Sequence, residues 1–244
     1  MIDLHKNGHR QGPGSDFHTR LALQFTDVAT RPTPQIADIG CGTGASTLVL
    51  AGETTGTIAA IDLSAVLLQH LSGRMTQAGF SHRVSPVEAS MDQLPFQPGT
   101  FDLIWSEGAI YQMGFREGLA AWKPFLKPDG WLAVSDICWT TGSRPHEIDR
   151  FWSASYQQMK TVSDKVREIE QAGYTPAAHF ILPPSCWMEE YYLPTRDRIP
   201  GFLNRHHHSE AAQAVAGEDQ QERELFIRYQ AFYSYGFFVM QNRE

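Results

Sequence analysis

Asp38-Ile39-Gly40-Cys41-Gly42-Thr43-Gly44 puts three glycines into five residues, between the apolar run Ile36-Ala37 and a helix-forming stretch at 45–51. A strand that turns through glycines into a helix gathers backbone N–H groups and the positive end of the helix dipole at one point, and lets a ligand come close to the main chain. An ordinary tight turn needs fewer glycines. The stretch TIAAID at 57–62 reads as a second strand, and Asp62 at its end suits a carboxylate that accepts both hydroxyls of a ribose at the switch point of a sheet. Gly40, Gly42 and Ala45 also satisfy G-x-G-x-x-A, so this segment alone leaves a dinucleotide enzyme open.

The rest of the chain repeats the strand-then-helix alternation. Ser15 is placed to cap a helix with Phe17, Leu21, Phe25 and Val28 inward, closed by Pro32 and Pro34. Ser64 caps another, with Val66, Leu67, Leu71, Met75 and Ala78 on one side and Gly79 at its end. RVSPVEASM (83–91) is a third strand, irregular or near an edge because of its proline, and FDLIWSE (101–107) a fourth. Leu119, Trp122, Phe125 and Leu126 form a helical stripe, Pro128-Asp129-Gly130 a turn, and WLAVSDI (131–137) strand five. Helices over 145–159 and 163–172 precede strand six, AAHFIL (177–182), and GFFVMQN (236–242) is strand seven. The expected fold is one α/β domain over 1–244: a doubly wound, mostly parallel seven-stranded sheet with helices on both faces. Residues 1–14, polar and glycine-rich, read as a mobile arm. Residues 183–224, with four prolines and a run of aromatics, read as an insertion between strands six and seven, either a lid or a packing appendage.

Composition excludes other classes. With 244 residues and 42% apolar side chains the chain can bury a full core, and a net charge of −7 argues against broad phosphate-backbone binding. No apolar run is long enough to span a bilayer, and the first residues lack the apolar centre of a signal peptide, so a cytoplasmic protein is expected. Cys41, Cys138 and Cys186 are far apart and form neither a disulfide framework nor a zinc signature. Three consecutive histidines, His206 to His208, cannot easily aim at one ion and are read as a solvated loop; no metal is expected.

Further landmarks follow Asp62 in order: Ser90-Met91-Asp92 after strand three, Leu94-Pro95-Phe96 before strand four, and Leu126-Lys127-Pro128-Asp129-Gly130 before strand five. With Asp38 just before the first glycine, this ordered set over residues 36–136 resembles the class I S-adenosylmethionine-dependent methyltransferases. The likeness is to the small-molecule type that includes the ubiquinone/menaquinone methyltransferase-like group. GPGS (12–15), WSEGAIY (105–111), RPHEIDRFW (144–152) and PPSCW (183–187) are similar to one bacterial subgroup of such methyltransferases. The resemblance implies S-adenosylmethionine as cofactor and a small-molecule acceptor, with no nucleic-acid or membrane partner, and leaves a homodimer open. It implies that Asp38, Gly40 and Gly42 hold the methionine part, Asp62 the ribose, and Met91 and Asp92 the adenine, with Leu63 a further cofactor residue and Ser106 and Glu107 beside the sulfonium.

Methyl transfer is an in-line displacement at an already activated carbon, so a base is needed only where the nucleophile must lose a proton. Glu107, at a strand end beside Gly108 and flanked by aromatics, is the candidate base; holding the cofactor or ordering the 108–111 turn is the competing role. Tyr111, Trp139, Trp187, Tyr191 and Tyr192 are candidate walls of the acceptor pocket, and plain core is the alternative for each. Cys138 and Cys186 meeting near the pocket as soft ligands is weighed against two separate buried thiols, which is the preferred reading. A nicotinamide oxidoreductase and a non-catalytic S-adenosylmethionine-binding protein remain the alternatives.

Overall fold

The computed structural model describes residues 2–243. Seven strands form one sheet: β1 (Gln35–Ile39), β2 (Thr57–Asp62), β3 (Val84–Glu88), β4 (Phe101–Glu107), β5 (Leu126–Trp139), β6 (Tyr174–Ile181) and β7 (Tyr233–Asn242), in the order β3-β2-β1-β4-β5-β7-β6. The first five strands pair in parallel; β7 enters antiparallel between β5 and β6. The proline strand β3 lies at an edge, where Pro86 sits in register with Ala60 and its missing N–H costs least.

Residues 131–139 of β5 are buried without a break, as expected for a central strand covered on both faces. Alternation along β4 divides the core: Leu103 and Trp105 pack with Ala133 and Ile137 on one face, Ile104 with Leu132, Val134 and Phe238 on the other. Helices α3 (Ala45–Glu53), α4 (Ala65–Ala78), α5 (Phe115–Trp122), α6 (His146–Ser155) and α7 (Val162–Gln171) make the crossovers, after α1 (Ile2–His5) and α2 (Asp16–Leu23) at the start of the chain. Ser64 accepts from the N–H of Leu67 and caps α4, as its position in the sequence predicts.

Two expectations change. Residues 2–14 do not stand apart from the domain: Leu4 is buried against Phe202 and Ala212, and Arg10, Pro13 and Gly14 are buried as well. Ser15 caps α2, but the helix turns Thr19, Ala22 and Leu23 inward and leaves Phe17 66% and Phe25 43% exposed. The helix ends at Leu23, Thr19 on its inner face makes a side-chain bond within the domain, and Val28, past the helix end, is fully buried as its place in the stripe predicts. The 183–224 insertion is helical: α8 (Pro184–Trp187), one wide turn over Met188–Tyr192, α9 (Leu193–Arg205) and the long α10 (Glu210–Tyr229). Among the described residues no helix is long and apolar enough to cross a membrane.

Candidate active site

A cleft of about 600 Å³ opens at the carboxyl ends of β1, β2 and β4. Its floor is the glycine turn. Gly40 has φ +71°, and a Cβ there would fall 2.4 Å from the Ala109 Cβ; at Gly42, φ +54°, it would fall 2.4 Å from Gln11 Oε1. Both positions therefore need a residue without a side chain. Asp62 braces the turn: its Oδ2 accepts from the Gly42 N–H and its Oδ1 from the Ser64 N–H, each at 2.9 Å. Gly40, Gly42, Asp62, Leu63, Met91 and Asp92 all line the cleft.

Two expected cofactor residues do not. Asp38 is fully buried behind the turn, where Oδ2 accepts from Ser46 Oγ (2.8 Å) and Thr47 Oγ1 (2.6 Å). Its Oδ1 is buried without a hydrogen bond, and burial pushes the carboxyl up to about 7. Ser46 does line the cleft, so Asp38 reaches the wall through that hydroxyl. Ser106 is also fully buried, its hydroxyl unpartnered, because alternation along β4 turns it away from Glu107 and from the cleft.

Glu107 lines the cleft, but its carboxylate is occupied. Oε2 accepts from Arg10 Nη1 at 2.7 Å; Oε1 accepts from Thr19 Oγ1 at 2.6 Å and from Trp105 Nε1 at 3.0 Å. Arg10 also donates to Asp16 Oδ1 (3.0 Å) and Thr19 Oγ1 (3.1 Å). The candidate base is thus the anchor of the N-terminal arm. Gln11 completes the attachment: its Oε1 accepts from the Thr43 N–H and its Nε2 donates to Thr43 Oγ1, both at 2.9 Å. Gln11, Gly12 and Pro13 form a wall of the cleft. Sequence reasoning missed Arg10 and Gln11; the one signal was a charged and an amide side chain inside an otherwise glycine-rich arm.

A second cavity of about 510 Å³ adjoins the first and shares Gly12, Pro13, Gly108 and Tyr111 with it. Tyr111, Trp187 and Tyr191, candidate walls of the acceptor pocket, line it. Tyr192 does not: it is 1% exposed, in the core, with its hydroxyl donating to Glu222 Oε1 at 2.7 Å. Trp187 is equally buried, stacked on Phe226 with centroids 4.7 Å apart and donating Nε1–H to Ser234 Oγ at 2.9 Å, so it supplies only an edge to the cavity. Trp139 is core, under the Arg144 guanidinium, 4.1 Å from its ring centroid. Burial pushes the Cys138 thiol up to about 12 and the Cys186 thiol up to about 11, so both are neutral thiols at pH 7. His206 to His208 are exposed, and no cluster suited to a metal occurs among the described residues.

Residues 36–130 match the family described as "Methyltransferase domain". Dimethylglycine N-methyltransferase of Parasynechococcus marenigrum is 32% identical over 126 residues, which are 50% of this chain and 44% of that protein. The chain therefore spans less than half the length of that curated relative. Two solved structures share the fold over almost the whole chain. The X-ray structure of YjhP from E. coli has TM-score 0.87 at 18% identity, covering 99% of this chain and 98% of that one. A Geobacter sulfurreducens S-adenosylmethionine-dependent methyltransferase, solved with S-adenosyl-L-homocysteine, has TM-score 0.84 at 15% identity, covering 99% and 97%.

Proposed function

We propose that this chain, which carries a class I S-adenosylmethionine-dependent methyltransferase domain, transfers a methyl group to a small-molecule acceptor held in the second cavity. The observation that carries the reading is the pair of adjoining cavities, one floored by the glycine turn and Asp62, the other walled by aromatics, with Gly12, Pro13, Gly108 and Tyr111 between them. S-adenosylmethionine, when bound, supplies a methyl carbon activated by its sulfonium.

The residues present fit that group. The glycine turn, packed too closely on Ala109 and Gln11 to carry side chains, presents bare main chain to the cleft, Asp62 offers carboxylate oxygens to a ribose, and Leu63 and Met91 offer apolar surface to a flat base. The buried, unpartnered Asp38 Oδ1 stands behind the wall as an acid whose ionised form an approaching ammonium would favour. Residues 10–13, fixed by Arg10 and Gln11, close one side of the cleft and exclude water, and Tyr111 and Gly108 set the direction from which an acceptor approaches. Catalysis by alignment and desolvation fits a Glu107 whose oxygens are engaged by Arg10, Thr19 and Trp105.

The nicotinamide alternative loses support from the sheet. An antiparallel β7 inserted between β5 and β6 departs from the 3-2-1-4-5-6 parallel order of dinucleotide-binding sheets. Calorimetry with S-adenosylhomocysteine and with NAD, followed by an acceptor screen that reads S-adenosylhomocysteine release, tests the proposal. Binding of the sulfur ligand with turnover on at least one acceptor class is expected. Tight NAD binding with no response to the sulfur ligand overturns it, and cofactor binding without turnover on any acceptor class leaves a binding protein.

A further inference from the structure

The walls of the second cavity have a charge pattern that methyl transfer as such does not require. Helix α10 contributes Glu218, Asp219 and Glu222, and no lysine or arginine occurs among the described lining residues. His5 also lines it, but burial and the nearby Arg198 charge depress its pKa to about 4, so the ring is neutral at pH 7. Asp219 has a cation, Arg223, at 2.9 Å. Glu222 has none among the described residues: it accepts one hydrogen bond, from Tyr192, while burial and the Asp219 charge both push its carboxyl up.

Tyr235 supplies an independent observation. It is only 8% exposed, lines the same cavity, and is bonded to no described residue through its hydroxyl, which therefore opens on the cavity. A carboxylate without a counter-charge in a half-buried place is costly, and a cationic guest offsets that cost, while the Tyr235 hydroxyl, open to the cavity, offers the guest a further hydrogen bond. Aromatic side chains on several sides suit the same kind of guest, because the quadrupole of an aromatic ring favours a cation over its face.

The geometry points to an organic cation, carrying a protonated amine or a quaternary ammonium, as the molecule this cavity takes, with Glu222 as its counter-charge and Trp152, Tyr191 and Tyr235 around it. This rests on the reading of the second cavity as the acceptor pocket.

Choline and its neutral carbon isostere 3,3-dimethylbutan-1-ol are the probes, titrated calorimetrically into the full chain with and without S-adenosylhomocysteine. Choline is expected to bind at least tenfold more tightly than the isostere. Glu222→Gln, which keeps an acceptor for Tyr192, is expected to weaken choline at least tenfold and to leave S-adenosylhomocysteine affinity unchanged, since Glu222 does not line the cofactor cleft. Trp152→Leu, at a half-buried position, provides a second variant and is expected to weaken choline several-fold. Equal binding of the isostere, no choline binding by the loaded protein, or undiminished choline binding in either folded variant overturns the inference. The two readings fail separately: choline binding without S-adenosylhomocysteine binding keeps the cation site and removes methyl transfer, and the reverse removes only the cation.

Discussion

The guanidinium of Arg10 meets the carboxylate of Glu107 at 2.7 Å, across 97 positions of sequence, with the two side chains 5% and 9% exposed. One ion pair thus ties the start of the chain to the end of the strand nearest both cavities. Breaking a buried pair from one side leaves the other charge enclosed and unpaired, so Arg10→Ala is expected to lower stability by about 3 kcal/mol. It also frees the arm, so cofactor affinity falls with it. Urea unfolding of Arg10→Ala, Glu107→Gln and the double variant measures the coupling; additive effects would show that the two residues do not act as a pair.

Asp62 carries a prediction of a different sign pattern. Replacing it by alanine removes charge-assisted hydrogen bonds of about 1.5–3 kcal/mol from a bound ribose. Cofactor affinity should then fall at least about tenfold. Because Asp62 also accepts from the N–H groups of Gly42 and Ser64, Asp62→Asn, which keeps one acceptor oxygen, is expected to lose less. Unchanged affinity in a folded Asp62→Ala would place the ribose elsewhere.

The features legible in the sequence were those encoded by local geometry. The glycine turn, Asp62 and Met91-Asp92 each follow a strand end, and a parallel strand delivers such ends to one edge whatever surrounds it. The arm was not legible, because Arg10 and Gln11 find Glu107 and Thr43 only after the sheet has formed. For the same reason the stripe of Phe17, Leu21, Phe25 and Val28 was only partly right: Thr19, Ala22 and Leu23 face inward, where Thr19 bonds Glu107, Phe17 and Phe25 are exposed, and Val28, past the helix end, is fully buried. Tyr192 was placed in a pocket because an aromatic run does not reveal which ring meets a buried acid.

Asp38 makes stability depend on pH. Its folded carboxyl is raised from an ordinary 3.8 to about 7, first by burial. Between those values the folded chain holds a proton that the unfolded chain has lost, so this group's contribution falls as pH rises through the window. Asp3 and Asp16, held below the usual range chiefly by their hydrogen bonds to Lys6 and His9, act in the opposite direction but at lower pH. Asp38→Asn keeps an oxygen for Ser46 and Thr47 and is expected to flatten the slope. Urea midpoints of both proteins at pH 5 and pH 8 decide it, and identical pH dependence in the two would show that Asp38 titrates normally.

Leu63 and Trp187 should respond in opposite ways. Leu63 is 71% exposed at the rim of the cofactor cleft, so its apolar surface is covered only when a ligand is bound. Leu63→Ser is expected to leave stability within about 0.5 kcal/mol, as surface changes do. It should weaken the cofactor by up to about 1.5 kcal/mol, the contribution of one covered apolar side chain. Trp187 is 1% exposed and stacked on Phe226, so Trp187→Ala opens a cavity in the core and should cost about 3–5 kcal/mol. Thermal unfolding and S-adenosylhomocysteine titration of both variants give the comparison. A destabilised Leu63→Ser with unchanged affinity would mean that the base of the cofactor lies on the Met91 side alone, and that the exposed leucine supports the fold rather than the ligand.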